Sequence, residues 1–172
     1  MPAFEPLLGP APKYLILGSM PGQVSLSARQ YYAHPRNSFW WIMSQLFSFE
    51  LSDDYAQRVE LLREHRVAVW DVLSECERPG SLDSNIVRAT EVPNDFGSFF
   101  RAQPSISIVG FNGAASAALF KRHCGSLMQR YPNIRWIKLP STSPAYASLG
   151  REDKLQAWQA LFEPSQAEPG FI

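Results

Sequence analysis

Tyr14-Leu15-Ile16-Leu17-Gly18-Ser19-Met20-Pro21-Gly22 is an apolar run that breaks off into small and ring-constrained residues, and Tyr31-Tyr32-Ala33-His34-Pro35-Arg36-Asn37-Ser38-Phe39-Trp40 follows shortly after. A continuous apolar run of this length suits a strand buried on both faces of a parallel sheet. A strand that ends in Gly18, Pro21 and Gly22 empties into a loop, because the glycines permit close backbone approach or positive φ while the proline sets the turn. The second tract crowds aromatic, imidazole and amide groups into ten positions ahead of a helix that Ser38 is placed to cap. This combination reads as a strand feeding a binding loop.

Three further runs resemble the first: residues 67–71, 106–111 and 134–139. Helical patterns separate them. Trp41, Ile42, Leu46 and Phe47 recur at helical spacing after Ser38, as do Tyr55, Val59 and Leu62 in the next segment. A short helical turn is expected over 84–89, a helix opened by Pro93 at its first position, a longer helix over 113–131 and a last one over 151–162. Pro2, Pro6, Pro10 and Pro12 make residues 1–12 an extended arm, and 164–172 form a tail rich in small and ring-constrained residues. Strands alternating with helices predict a three-layer α/β/α domain around a four-stranded, mainly parallel sheet, with 1–172 as a single domain. Ligands of such sheets bind beyond the carboxyl ends of the strands.

A length of 172 residues allows one domain with a real core, and 45% hydrophobic with 19% charged residues is ordinary for a globular protein. Lys plus Arg equals Asp plus Glu at 16 each, so any affinity for a polyanion has to come from a local basic face. Candidates for that face are Arg29, Arg36, Arg78, Arg88 and Lys138. Cys76 and Cys124 have no CxxC or Cys/His spacing, so neither a disulfide framework nor a metal site is expected. No apolar run approaches the roughly 20 residues of a membrane span, and the start lacks the pattern of a secretory signal, so a cytosolic protein is expected.

Each strand end carries candidate chemistry. After the first, Asn37 is either a helix cap or an amide that aligns water, and His34 is either a loop histidine or a catalytic one. After the second, Asp71 is a candidate acid, base or orienting group, while Arg78 and Ser81 have the chemistry to reach phosphate or to satisfy the loop's own acids. After the third, Asn112 is placed to cap the next helix or to pair with the edge of a nucleobase. After the fourth, Ser141, Thr142, Ser143, Pro144, Ala145 and Tyr146 form a rigid surface of small residues suited to phosphate, with one aromatic to wedge beside a base. Neither GxGxxG nor a Walker loop is present.

Taken together, these segments resemble the uracil-DNA glycosylase superfamily, and within it most closely the hypoxanthine-DNA (deoxyinosine) glycosylase branch. The likeness is carried by 15–22, Ser25-Leu26, 31–40, Trp70-Asp71-Val72 with Arg78 and Gly80-Ser81-Leu82-Asp83, Phe111-Asn112-Gly113, and 139–145, so it spans about residues 14–160. The resemblance implies base excision on double-stranded DNA carrying a deaminated base, or on single strands. The flipped base is hypoxanthine first, then uracil or xanthine. By matching motif Asn37 positions the attacking water, Phe39 stacks on the base and Asn112 reads its polar edge, with Ser19, Met20, Tyr32 and His34 around it. Pro21, Gly22, Arg78 and residues 141–146 hold the DNA. No metal or other cofactor is implied, and the protein is expected to act as a monomer.

Three positions depart from the pattern. Met20 stands where uracil-specific branches carry an Asp or Asn, which passes the catalytic role to Asn37. Ser141 replaces a His that stabilises the leaving group in some branches, and Tyr146 replaces the Asn that usually ends Ser-Pro-Ala-Asn. The motifs contain no Lys, so Schiff-base lyase chemistry is not expected. The alternative is a module of the same fold that binds a damaged base or abasic DNA with little turnover. A serine hydrolase using Ser19 or Ser141 with His34 and Asp71 lacks the G-x-S-x-G elbow and triad order.

Overall fold

The computed structural model describes residues 4–163; the expected tail and the first three residues of the expected arm lie outside them. Four strands, β1 (Tyr14–Gly18), β2 (Val67–Asp71), β5 (Ile108–Asn112) and β6 (Arg135–Leu139), form one sheet in the order β2-β1-β5-β6, and every pairing is parallel. β1 sits inside the sheet and all five of its residues are buried, which is why it reads as an unbroken apolar run. Its side chains alternate between faces. Leu15 and Leu17 enter one core with Phe96, Phe100, Phe111 and Phe120, while Tyr14 and Ile16 enter the other with Phe39, Trp40, Leu62 and Trp158.

The helices divide accordingly. α4 (Phe96–Ala102), α5 (Ala114–Cys124) and α6 (Ser126–Arg130) supply the first core; α2 (Phe39–Leu46), α3 (Tyr55–Glu64) and α7 (Arg151–Trp158) supply the second. A sheet covered on both faces by helices is the three-layer architecture that the alternation of patterns predicts. A six-residue helix, α1 (Gln23–Ala28), fills the loop after β1. Of the arm, residues 4–12 are tied to the sheet: Leu7 bridges Val69, the Trp70 indole donates to Phe4 O at 3.1 Å, and the Tyr31 hydroxyl donates to Glu5 O at 2.8 Å.

Three expectations are corrected. Residues 84–89 are no helical turn: after a 3-10 turn at Asp83–Asn85 the chain forms β4 (Val87–Pro93), antiparallel to β3 (Leu73–Glu77) in a separate two-stranded sheet. The β-branched residues Val87, Thr90 and Val92 favour strand once a partner is present, and that partner lies ten or more residues away. Pro93 therefore ends β4, and α4 begins at Phe96 with the Asp95 carboxylate accepting from Ser98 N at 3.1 Å. The helix expected over 113–131 divides into α5 and α6 at Gly125, where a Cβ would stand 2.5 Å from Lys121 O.

Candidate active site

Because the four strands are parallel, their carboxyl ends share one edge, and the register sets Gly18 beside Asp71 and Asn112 beside Leu139. A cavity of about 1060 Å³ opens there. The loop after β1 lines it with Ser19, Met20, Pro21 and Gly22, and the tract before α2 with Tyr32, His34 and Asn37. Arg78 and Asp83 line it from the loop after β3, Asn112 from β5, and residues 141–146 from the loop after β6. Four loops that are remote in sequence thus meet at one place.

Phe39 is not among the lining residues. It is fully buried, edge-on to Trp40 and Trp158, and its open face is covered by the Tyr32 ring at 4.1 Å and 28°. Tyr32 has φ of 53°, an uncommon left-handed conformation for a bulky residue, which lays its ring on Phe39. The aromatic surface that a ligand meets is Tyr32, with Phe39 as its backing. No sequence pattern separates two aromatic residues seven positions apart in one tract; the backbone reversal at Tyr32 does.

Asn37 reaches the cavity, and its Oδ1 accepts from Phe39 N at 3.0 Å, so the amide also serves the start of α2. Ser38 occupies the cap position but makes no side-chain bond to the helix. His34 shapes the same turn: its Nδ1 accepts from Arg36 N at 3.1 Å and its carbonyl from Asn37 N at 2.9 Å.

Asn112 and Thr142 bind each other. The Asn112 Nδ2 donates to Thr142 Oγ1 at 3.0 Å, and its Oδ1 accepts from Thr142 N at 2.9 Å. Thr142 O in turn accepts from Ser38 N at 3.1 Å and Ser38 Oγ at 3.3 Å. Thr142 is 1% exposed, so it latches three strand-end loops together and presents no side chain to DNA. Asn112 holds that latch with one N–H and one lone pair of its amide. Asn112→Ala is expected to lower stability by on the order of 3 kcal/mol, since it strands a buried N–H and a buried hydroxyl. An unchanged urea midpoint would show that the latch carries no stability.

Arg78 is likewise held inside. Its guanidinium donates to Met20 O at 3.2 Å, to Pro21 O and to Asp83 Oδ1 at 3.0 Å, and the side chain is 7% exposed. Ser19 Oγ donates to the same Asp83 oxygen at 2.6 Å. Arg78 therefore braces the 19–21 loop from within and is not available as a DNA phosphate contact. Exposed cations remain at Arg29, Arg36, Arg88 and Lys138, of which Lys138 lines the cavity.

The loop after β6 folds on its own hydroxyls. Ser141 Oγ accepts from Ser143 N and Ser143 Oγ from Ala145 N, each at 3.1 Å. Gly113, at φ of 102°, lies where a Cβ would approach the Ser141 Cβ at 3.1 Å, so the start of α5 and this loop press together. Sequence reasoning missed Lys154, which is 4% exposed and donates to Ser143 O at 3.1 Å from beneath, with its ammonium 5.5 Å from the Tyr146 ring. Burial holds that amine below its usual range. Its signal was a charge four residues before Trp158 on the buried side of α7. Tyr146 stands 41% exposed at the rim.

At the bottom of the cavity two buried polar atoms lack a hydrogen-bond partner, Tyr32 Oη and Asp71 Oδ2. Burial pushes the Asp71 carboxyl up to about 7; the Arg78 guanidinium opposes that rise and the Asp83 carboxylate reinforces it. The Tyr32 phenol is raised by burial and then by Asp71, with the Asn112 amide opposing, near enough to favour the phenolate but outside hydrogen-bond geometry. Among the described residues, no three His, Cys, Asp or Glu side chains gather to hold a metal, and no helix is long and apolar enough to cross a membrane.

Residues 6–162 match the family model of the uracil DNA glycosylase superfamily. The chain belongs to that superfamily. Two relatives are named hypoxanthine DNA glycosylase: one from Methanosarcina acetivorans is 34% identical over 162 residues, 92% of this chain and 96% of that one. The other, from Methanosarcina barkeri, is 36% identical over 114 residues, 66% and 71% of the two chains. A solution NMR structure of a provisionally named uracil DNA glycosylase from Methanosarcina acetivorans superposes with a TM-score of 0.74 at 28% identity, covering 94% of this chain and 98% of its own. The superfamily fold is therefore the one observed, and its strand-end edge is the one that carries the cavity.

Proposed function

We propose that this superfamily member is a DNA glycosylase for deaminated bases, acting on hypoxanthine first and on uracil or xanthine less readily. The observation that carries the reading is the strand-end cavity, where Asn37, the Tyr32 ring and unpartnered polar atoms converge. The naming of two relatives as hypoxanthine DNA glycosylases favours the same substrate. The damaged nucleotide leaves the duplex for this cavity, which costs a few kcal/mol and least for a mispaired base. Tyr32 stacks on the base, Asn37 aligns the attacking water, and exposed cations such as Lys138 and Arg36 meet the backbone phosphates. The carbon–nitrogen bond then breaks with positive charge developing on the sugar. A neutral amide suits the orientation of water there, since it needs no proton of its own.

Duplexes carrying a single inosine, uracil or xanthine test this directly. Free hypoxanthine is expected from the inosine duplex, leaving an abasic site that breaks only on treatment with alkali. Strand breakage without alkali would remove the monofunctional reading. Tight binding with no base released from any of the three would leave a damage-binding module in its place.

A further inference from the structure

Four buried side-chain polar atoms among the described residues have no hydrogen-bond partner, and two of them, Tyr32 Oη and Asp71 Oδ2, line the same cavity. An orphaned buried polar group is costly unless a ligand completes it. Asp71 is 4% exposed, the register fixes it beside Gly18, and its Oδ1 and Tyr32 Oη both pack against Gly18, 2.5 Å and 3.0 Å from where a Cβ would stand. Asn112 gives one N–H and one lone pair to Thr142, whereas Asp71 Oδ2 has no partner among the described residues.

We propose that Asp71 in its neutral, protonated form receives the flipped base, its O–H donating to the base carbonyl while its other oxygen accepts from the adjacent ring N–H. The assignment rests on the glycosylase reading. Hypoxanthine presents O6 beside N1–H, and uracil and xanthine present equivalent carbonyl and N–H pairs, so each matches a carboxylic acid in a two-bond ring. A carboxylate would set two acceptors against one donor and one carbonyl, and repel the latter. An apolar site keeps a carboxylic acid neutral near pH 7 and so able to donate. Around Asp71, burial acts against ionisation, the guanidinium of Arg78 favours it and the Asp83 carboxylate opposes it, while the phenols of Tyr31 and Tyr32, both raised by burial, stay neutral beside it.

The same proton assists departure. As the bond from C1′ to the base nitrogen breaks, its electron pair stays with the base, and the Asp71 proton passes to the base oxygen that gains charge. Water adds to C1′, and the proton it sheds is returned through solvent to the Asp71 carboxylate. The base leaves in its neutral form.

Because the protonated form is the active one, single-turnover hypoxanthine release should be level below pH of about 7 and fall above it, roughly tenfold per pH unit. Asp71→Asn keeps a donor and an acceptor without a titrating proton. It is expected to release hypoxanthine at least about tenfold more slowly at pH 6 and to lose the alkaline fall, with wild-type melting and affinity for abasic duplex. A flat wild-type profile from pH 6 to 9, or an Asp71→Asn protein with the wild-type rate or the wild-type fall, overturns the proposal. Where Asp71→Asn is too slow for a profile, carboxyl carbon NMR of the free wild-type protein decides: a neutral Asp71 at pH 6 supports the assignment, and an ionised one overturns it. Failure of the glycosylase reading is separate, since it appears as no base release by the wild type at any pH.

Discussion

Asn37→Ala is expected to cut single-turnover hypoxanthine release by about 100-fold or more while the lesion duplex stays bound, because positioned groups of this kind contribute factors of roughly 10²–10⁴. The geometry gives the reason. Asn37 Oδ1 accepts from Phe39 N at 3.0 Å, which fixes the plane of the amide at the mouth of α2. The second lone pair of that oxygen and the NH2 group remain for a water in the cavity that Asn37 lines. Removing the side chain also removes the bond to Phe39 N at the start of α2, at about 1 kcal/mol. Melting experiments separate the two effects, since a loss of that size leaves the protein folded. Asn37→Asp provides a second arm: it keeps an acceptor for Phe39 N and loses the donor. Wild-type turnover by Asn37→Ala would place the water elsewhere.

Gly18→Ala is expected to be comparably damaging for a different reason. A Cβ at Gly18 would stand 2.5 Å from Asp71 Oδ1 and 3.0 Å from Tyr32 Oη, so one methyl group collides with the Asp71 carboxyl and the Tyr32 hydroxyl together. Neither neighbour can yield easily. Asp71 is held by its place at the end of β2, and the Tyr32 ring is stacked on Phe39. Overpacking of this sort costs about 1–3 kcal/mol, and displacing Tyr32 with Asp71 should abolish detectable base release. Gly22→Ala is the comparison for stability, because nothing lies within 4 Å of its Cβ and its φ is −76°. That change is expected to shift stability by no more than about 0.5 kcal/mol. Equal midpoints for Gly18→Ala and the wild type would show that the floor of the cavity is softer than its distances imply. The two glycines of one sequence turn thus have different roles, and neither has a positive φ.

The sheet was legible because its strands are buried on both faces. β1 and β2 have the bounds that their apolar runs mark, and the ends of β5 and β6 differ from expectation by one or two residues. The β3–β4 pair was not legible, because Leu73 alone of its residues is buried and it carries no continuous apolar run. Its strand character comes from pairing, which leaves only a weak local trace. In the site, the residue types that gather at the strand ends could be named from the chain, since each follows an apolar run directly. Their roles could not. Arg78 reads equally as a phosphate contact and as an internal brace until its bonds to Met20 O and Asp83 are seen. Asn112 reads as cap or base reader, and its grip on Thr142 is a further role that the chain does not display.

From the sequence alone follow the parallel sheet, the edge at which its loops gather, and the set of side chains delivered to that edge, because hydrophobic periodicity and turn chemistry are local properties of the chain. The tertiary structure decided which of those side chains are already satisfied. Hydrogen bonds between loops 30 to 60 residues apart hold Asn112 on Thr142 and tie Arg78 to the 19–21 loop. They leave Asp71 and Tyr32 with buried atoms unmatched. Whether a polar group is free to meet a ligand depends on what folding places against it, and that partner is set by packing between layers, not by neighbours in sequence.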